Sequence, residues 1–192
     1  MRTNKLVLPF LCVLICQTSC KKDFEESIRQ FSSMKIALPY DRMERIVCSP
    51  FADTITDNKK LRLVNFIDTM QCHSCEMKRL IEYERLNISR QELERLEFVY
   101  IVHPPSSHIK KTNQLLHSLH VEGTVYLDTC NAFHHANPAF PENKIFHSFV
   151  LDREGKIVLI GNPFRNDKME GLLMKIIKDD SCLTTLMNSS DE

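Results

Sequence analysis

The chain has no tryptophan, only four glycines in 192 residues, and no excess of either charge, with 25 Lys+Arg against 25 Asp+Glu. Each scarcity excludes something. Charge balance argues against a nucleic-acid binder that works by neutralising phosphates, which needs a basic surface. Gly123, Gly155, Gly161 and Gly171 are spaced for neither GxGxxG nor GxxxxGK, so the common dinucleotide and nucleoside-triphosphate loops are absent. So few glycines also disfavour a turn-rich barrel. No apolar run reaches the roughly 20 residues that a membrane-spanning helix requires. The hydrophobic content of 43% and charged content of 26% are those of a globular domain, and the length suits one domain with a real core. What is plentiful is cysteine, with eight residues.

Residues 1–20 carry the first three of these cysteines. Arg2 and Lys5 make a basic start, and Leu6 to Ile15 make an uncharged apolar run. This is the pattern of a secretory signal, expected over 1–19. Thr18 and Ser19 then precede Cys20, which resembles the lipobox of bacterial lipoproteins, with Gln17 where Leu or Val is usual. The resemblance implies acylation at Cys20, export, and lipid anchorage to a bacterial envelope membrane with the domain in the periplasm. Residues 20–33 are charged and read as a tether, for which a helix is one form. The domain is expected over 34–180, followed by a flexible tail over 181–192. Export would place Cys48, Cys72, Cys75, Cys130 and Cys182 in an oxidising or redox-managed compartment.

Strands are expected at 61–68 (LRLVNFID), 97–103 (EFVYIVH) and 124–128 (TVYLD). The clearest hairpin joins 146–152 to 157–161 across Arg-Glu-Gly-Lys. Ser89 and Glu92 form a capping-box pattern. A helix is expected from Ser107 to about His120. Asp167 and Glu170 are expected to cap a last helix, with Met169, Leu172, Leu173, Ile176 and Ile177 as its inward stripe. Residues 129–144 read as a loop with one helical turn, and His134 and His135 as solvated. Strands interleaved with helices predict a parallel core sheet, which the antiparallel hairpin makes mixed.

The motif that carries chemistry is Cys72-His73-Ser74-Cys75, after strand 61–68 and a three-residue loop. Two cysteines at i and i+3 across a helix start can close a disulfide. The first faces unpaired N–H groups and the positive end of the helix dipole, which stabilises its thiolate. Cys72 is thus the candidate nucleophile and Cys75 the resolving thiol. His73 would stabilise the thiolate further when protonated, and Ser74 completes the supporting set. Asp68 reads as a loop-capping residue or a proton-moving carboxylate.

The order VNFIDTMQCHSC, FVYIVHPP and HSFVLDREGKIVLIGNP resembles the thioredoxin-like superfamily, and within it the membrane-anchored TlpA/redoxin type. The resemblance covers about 34–178. It implies an α/β thioredoxin-like fold: a central mixed sheet flanked by helices, closed by a C-terminal hairpin and helix. It also implies a thiol-disulfide oxidoreductase whose partner is a protein thiol or disulfide, with the redox-active Cys72–Cys75 disulfide in place of a cofactor. The family's aromatic before the first cysteine is Gln71 here, and its proline before the hairpin strand is missing from Ile145-Phe146-His147-Ser148. His147-Ser148 also resembles the Sco-type copper chaperones, which implies an alternative: copper held by Cys72, Cys75 and His147. Two further alternatives are a non-catalytic interaction module, and a peroxidase in which Thr69 stands three residues before Cys72.

Overall fold

The computed structural model describes residues 23–46, 61–68, 77, 80–81, 88–89, 92, 94–119, 121 and 123–188, with side chains described as far as Asp179. Among them a mixed sheet of six strands is flanked by helices. The strands are β1 (Glu44–Ile46), β2 (Leu61–Asp68), β3 (Leu96–His103), β4 (Thr124–Leu127), β5 (Ser148–Leu151) and β6 (Ile157–Ile160). The helices are α1 (23–32), α2 (Ile109–Ser118), α3 (Ala132–Ala136) and α4 (Asp167–Asn188).

The order across the sheet is β1-β4-β3-β2-β5-β6. β2 runs parallel to β3 in continuous register from Leu61↔Leu96 to Asp68↔His103, and β3 runs parallel to β4. β5 lies antiparallel on the other side of β2, with Asn65 opposite Ser148. The expected strands and hairpin are therefore present. The short antiparallel edge strand β1 was not expected. In β2 and β3 nearly every residue is buried, because both faces of the sheet are covered.

Alternation sorts the side chains onto two faces. Leu61, Leu63, Ile67, Phe98, Tyr100 and Val150 meet Met77, Leu80, Leu116 of α2 and Leu173 and Ile177 of α4. Val64, Phe66, Val99, Ile101 and Phe149 meet Phe31 of α1, Ala132 and Phe133 of α3, and Phe140 and Phe146. The second face is built largely from rings: Phe31 stands edge-on to Phe140, Phe146 and Phe149 at 5.6, 5.1 and 5.6 Å.

Two elements differ from the sequence reading. The charged stretch read as a tether over 20–33 is helical from residue 23, a form that reading allowed, but it is packed on the domain, with Phe31 fully buried in the core. Its connection onward is held by buried Asn137, whose amide accepts from Ala37 N at 2.9 Å and donates to Ala37 O and Phe133 O, each at 2.8 Å. At the other end, α4 continues to Asn188 through most of the stretch expected as a flexible tail. Its cap is Asn166, which accepts from Lys168 N and Met169 N, rather than Asp167. Of its expected inward stripe, Leu173 and Ile177 are buried and Met169 and Ile176 half-buried, whereas Leu172 is 45% exposed, turned off the sheet beside Leu173.

The turns follow local chemistry. The Ser89–Glu92 capping box forms reciprocally, at 2.9 Å from Ser89 N to the Glu92 carboxylate and 3.4 Å from Glu92 N to Ser89 Oγ. In the β5–β6 turn Asp152 Oδ1 accepts from Glu154 N and Lys156 N, each at 2.8 Å. Before β4 the chain needs Gly123, because φ is +101° and an added Cβ would lie 2.5 Å from both Cβ and O of Phe98.

Candidate functional site

The register that aligns β2, β3 and β4 brings their carboxyl ends to one edge. Asp68 ends β2 beside His103 at the end of β3. Asp128 follows β4, and its N–H donates to Val102 O at 2.9 Å. The antiparallel strand β5 starts at this edge, so the 3-10 turn Lys144–His147 before it delivers His147 there. In open α/β sheets this is the edge where ligands bind.

Asp128 organises the edge. It is completely buried, and its two carboxylate oxygens accept from Ala132 N at 2.8 Å and Phe133 N at 2.9 Å. These are first-turn amides of α3, so Asp128 satisfies donors that the helix cannot. Asn131, at φ +57°, turns the chain into the helix. The Asp128 carbonyl lies 2.8 Å from His103 Nδ1. A carbonyl can only accept, which assigns the imidazole proton to Nδ1.

α3 in turn presents His134. Its ring stands edge-on to Phe66 at 5.0 Å and to Phe140 at 5.7 Å. The buried His147 ring meets the same two phenylalanines at 5.2 and 5.5 Å. Phe66 and Phe140 thus contact both imidazoles. Burial, and after it the nearby His103, push the His134 pKa below the ordinary histidine value; Asp68, Asp128 and Glu142 oppose them.

A pH dependence follows. The folded chain takes up the His134 proton less readily than the unfolded chain, whose histidine value is about 6.5. Stability therefore falls as pH drops from the unfolded value toward the lower folded one, and the loss is complete below both. Urea midpoints measured across this range should decline less steeply for His134→Gln than for the parent chain. Parallel curves for the two would show that His134 does not supply the slope.

On the opposite face Ser148 Oγ donates to Asn65 Oδ1 at 2.7 Å, both side chains being buried. This polar pair ties β2 to β5 within an otherwise apolar layer.

Of the residues singled out in the sequence, His147 and Asp68 lie at this edge. Cys20, Cys48, Cys72, His73, Ser74 and Cys75 lie outside the described residues, as does the Cys182 side chain. Cys130, just past Asp128, is exposed, with Sγ 3.5 Å from Arg42 O and 4.0 Å from Asp128 Oδ1. His135 is exposed as expected, whereas His134 is half-buried against the rings. Among the described residues, no three His, Cys, Asp or Glu side chains are grouped to hold a metal ion, and no helix is long and apolar enough to cross a membrane. Sequence reasoning missed His103, Asp128 and Phe140. An aspartate at a strand end, four residues before Ala132, is a local signal for helix capping that could have found Asp128.

Neither the protein-family models nor the curated proteins contain a match to this chain.

Proposed function

We propose that the protein is an exported, lipid-anchored thiol-disulfide oxidoreductase of thioredoxin-like fold, acting through Cys72 and Cys75. One observation carries the proposal: Asp68 is the last residue of β2, the strand between parallel β3 and antiparallel β5, and the motif begins four residues later. Covalent geometry alone keeps the Cα of Cys72 within about 15 Å of that of Asp68. That bound is compatible with Cys72 lying near the edge that carries His103, Asp128 and His147, which is the support for this reading. The closing hairpin and the helix after it support the fold assignment.

In the reductive direction the Cys72 thiolate attacks a partner's disulfide. A Cys72–partner S–S bond forms and the partner's other sulfur leaves as a thiolate. The Cys75 thiolate then attacks Cys72 sulfur, closing Cys72–Cys75 and releasing the second partner thiolate. Two electrons pass to the partner, and the reverse sequence oxidises a dithiol.

The test is the reduction potential of the Cys72–Cys75 pair, measured with Cu(I) titration of the reduced chain. Reversible exchange at about −120 to −270 mV, the span of known exchange proteins, is expected. Stoichiometric Cu(I) binding that His147→Ala removes would replace this reading with the copper-binding one. A pair that does not exchange, with no Cu(I) bound, would leave an interaction module.

A further inference from the structure

The sequence assigns residues 20–33 to a leash between lipid and domain, but the structure shortens that leash almost to nothing. α1 starts at residue 23 and is seated in the core by Phe31. If Cys20 carries the lipid, as the proposed function holds, three Cα–Cα steps separate it from Asp23, a reach of at most about 11 Å. The first turn of α1 must then lie at the bilayer surface.

That end of the molecule is apolar where it should be if lipid covers it. Phe24 and Ile28, one helical turn apart, are 39% and 36% exposed, and Ile145 is 47% exposed. Phe24 lies 6.4 Å from the ring of Phe146, the residue after Ile145, so α1 and the 139–146 segment join at this face. Between them runs a groove of about 420 Å³, lined by Phe24, Phe31, Met34, Pro141 and Phe146 among others. The charges around it are mixed. Asp23, Glu25, Glu26 and Arg29 lie on α1, with Glu26 and Arg29 paired at 3.4 Å, and Glu142 and Lys144 lie on the facing segment. With Lys21 and Lys22, which stand between Cys20 and Asp23 in the sequence, the four basic residues balance the four acidic ones, so the docking rests on apolar side chains meeting acyl chains.

We propose that α1 and the 139–146 segment form a membrane-docking face, which lays Phe24, Ile28 and Ile145 into the acyl boundary of the bilayer that holds the Cys20 lipid. An apolar face of this kind buries about 5–10 Å into the interface and adds its own burial to the hold of the Cys20 lipid. Because His147 directly follows Phe146, docking sets the catalytic edge close to the membrane surface. The inference rests on lipid anchorage, and its test separates the two.

The chain has no tryptophan, so a single introduced one reports its own surroundings. Ile28→Trp is compared with Leu172→Trp, an exposed position on α4, across the sheet. Each full-length chain, purified from bacterial membranes, is placed in phosphatidylcholine vesicles with brominated acyl chains. Flotation with the vesicles reports the anchor, and bromine quenching reports the docking face. The expected result is flotation of both, with Ile28→Trp blue-shifted and quenched several-fold more than Leu172→Trp. Phe24→Trp, which keeps an aromatic ring beside Phe146, should behave like Ile28→Trp and guards against a local disturbance. Flotation with equal quenching overturns the docking face and leaves the anchor standing. A blue shift without bromine quenching means that protein, such as a second copy, covers the face, and also overturns it. Chains that do not float overturn the anchor and this inference together.

Discussion

Cys75→Ser should accumulate mixed disulfides with partner proteins through Cys72, and Cys72→Ser should accumulate none. The asymmetry is chemical. Exchange begins with attack by an accessible thiolate, and stalls at the mixed disulfide when the second thiol is gone. Cys72 is the first residue of the motif and comes four residues after β2 ends, where solvent and a helix N-terminus would both favour its thiolate. Cys75 has only to reach the sulfur of Cys72. Non-reducing electrophoresis of both variants, followed by alkylation of Cys72 against pH, decides the matter. Turnover should be abolished in both variants, while trapping appears in one. Equal trapping, or an alkylation midpoint for Cys72 at or above the free-thiol value of about 8.5, would count against the assignment.

Phe31→Ala should cost about 3–5 kcal/mol of stability, the range for emptying a buried aromatic site. Phe31 is fully buried among Phe140, Phe146 and Phe149, so its removal leaves a cavity that three other rings must bound. In a chain of this size the melting temperature should fall by roughly 10 °C. If residues 20–33 were only a tether, the substitution would be silent. Thermal unfolding of the exported chain distinguishes these outcomes, and Ser32→Ala, one position on at an exposed site, should change little.

The sequence disclosed the sheet well and its N-terminal cover poorly, for related reasons. β2 and β3 are runs of β-branched and aromatic residues that only a doubly covered strand would carry. The capping box and the Asp-x-x-Gly turn are satisfied within a few residues, so they are readable from a few residues. In α1 the apolar stripe is Phe24, Ile28 and Phe31, at i, i+4 and i+7. The acidic and basic residues between them outweighed it, because composition is a stronger cue than three positions. The Asn166 cap was read as Asp167 because both residue types cap and they are adjacent. The motif Cys72–Cys75 and His147 stand out in the sequence as candidate chemistry. His103, Asp128 and His134 do not, since they meet only through the register of three strands and the short helix that Asp128 caps.

The rings around Phe31 also dictate an order of events. Its partners come more than a hundred residues later in the chain. Contacts so distant in sequence are the slowest to close, and no nascent chain that stops before the hairpin can bury Phe31. On the proposed export route the N-terminal segment emerges first and has nothing to fold against until β5 follows. During that interval Cys20 stands on an unfinished chain, open to the enzymes that would cleave and acylate it. Docking of α1 ends the interval. A substitution that delays the β5–β6 hairpin would thus prolong the time for which α1 stays undocked, so the first helix of the chain waits on strands more than a hundred residues away.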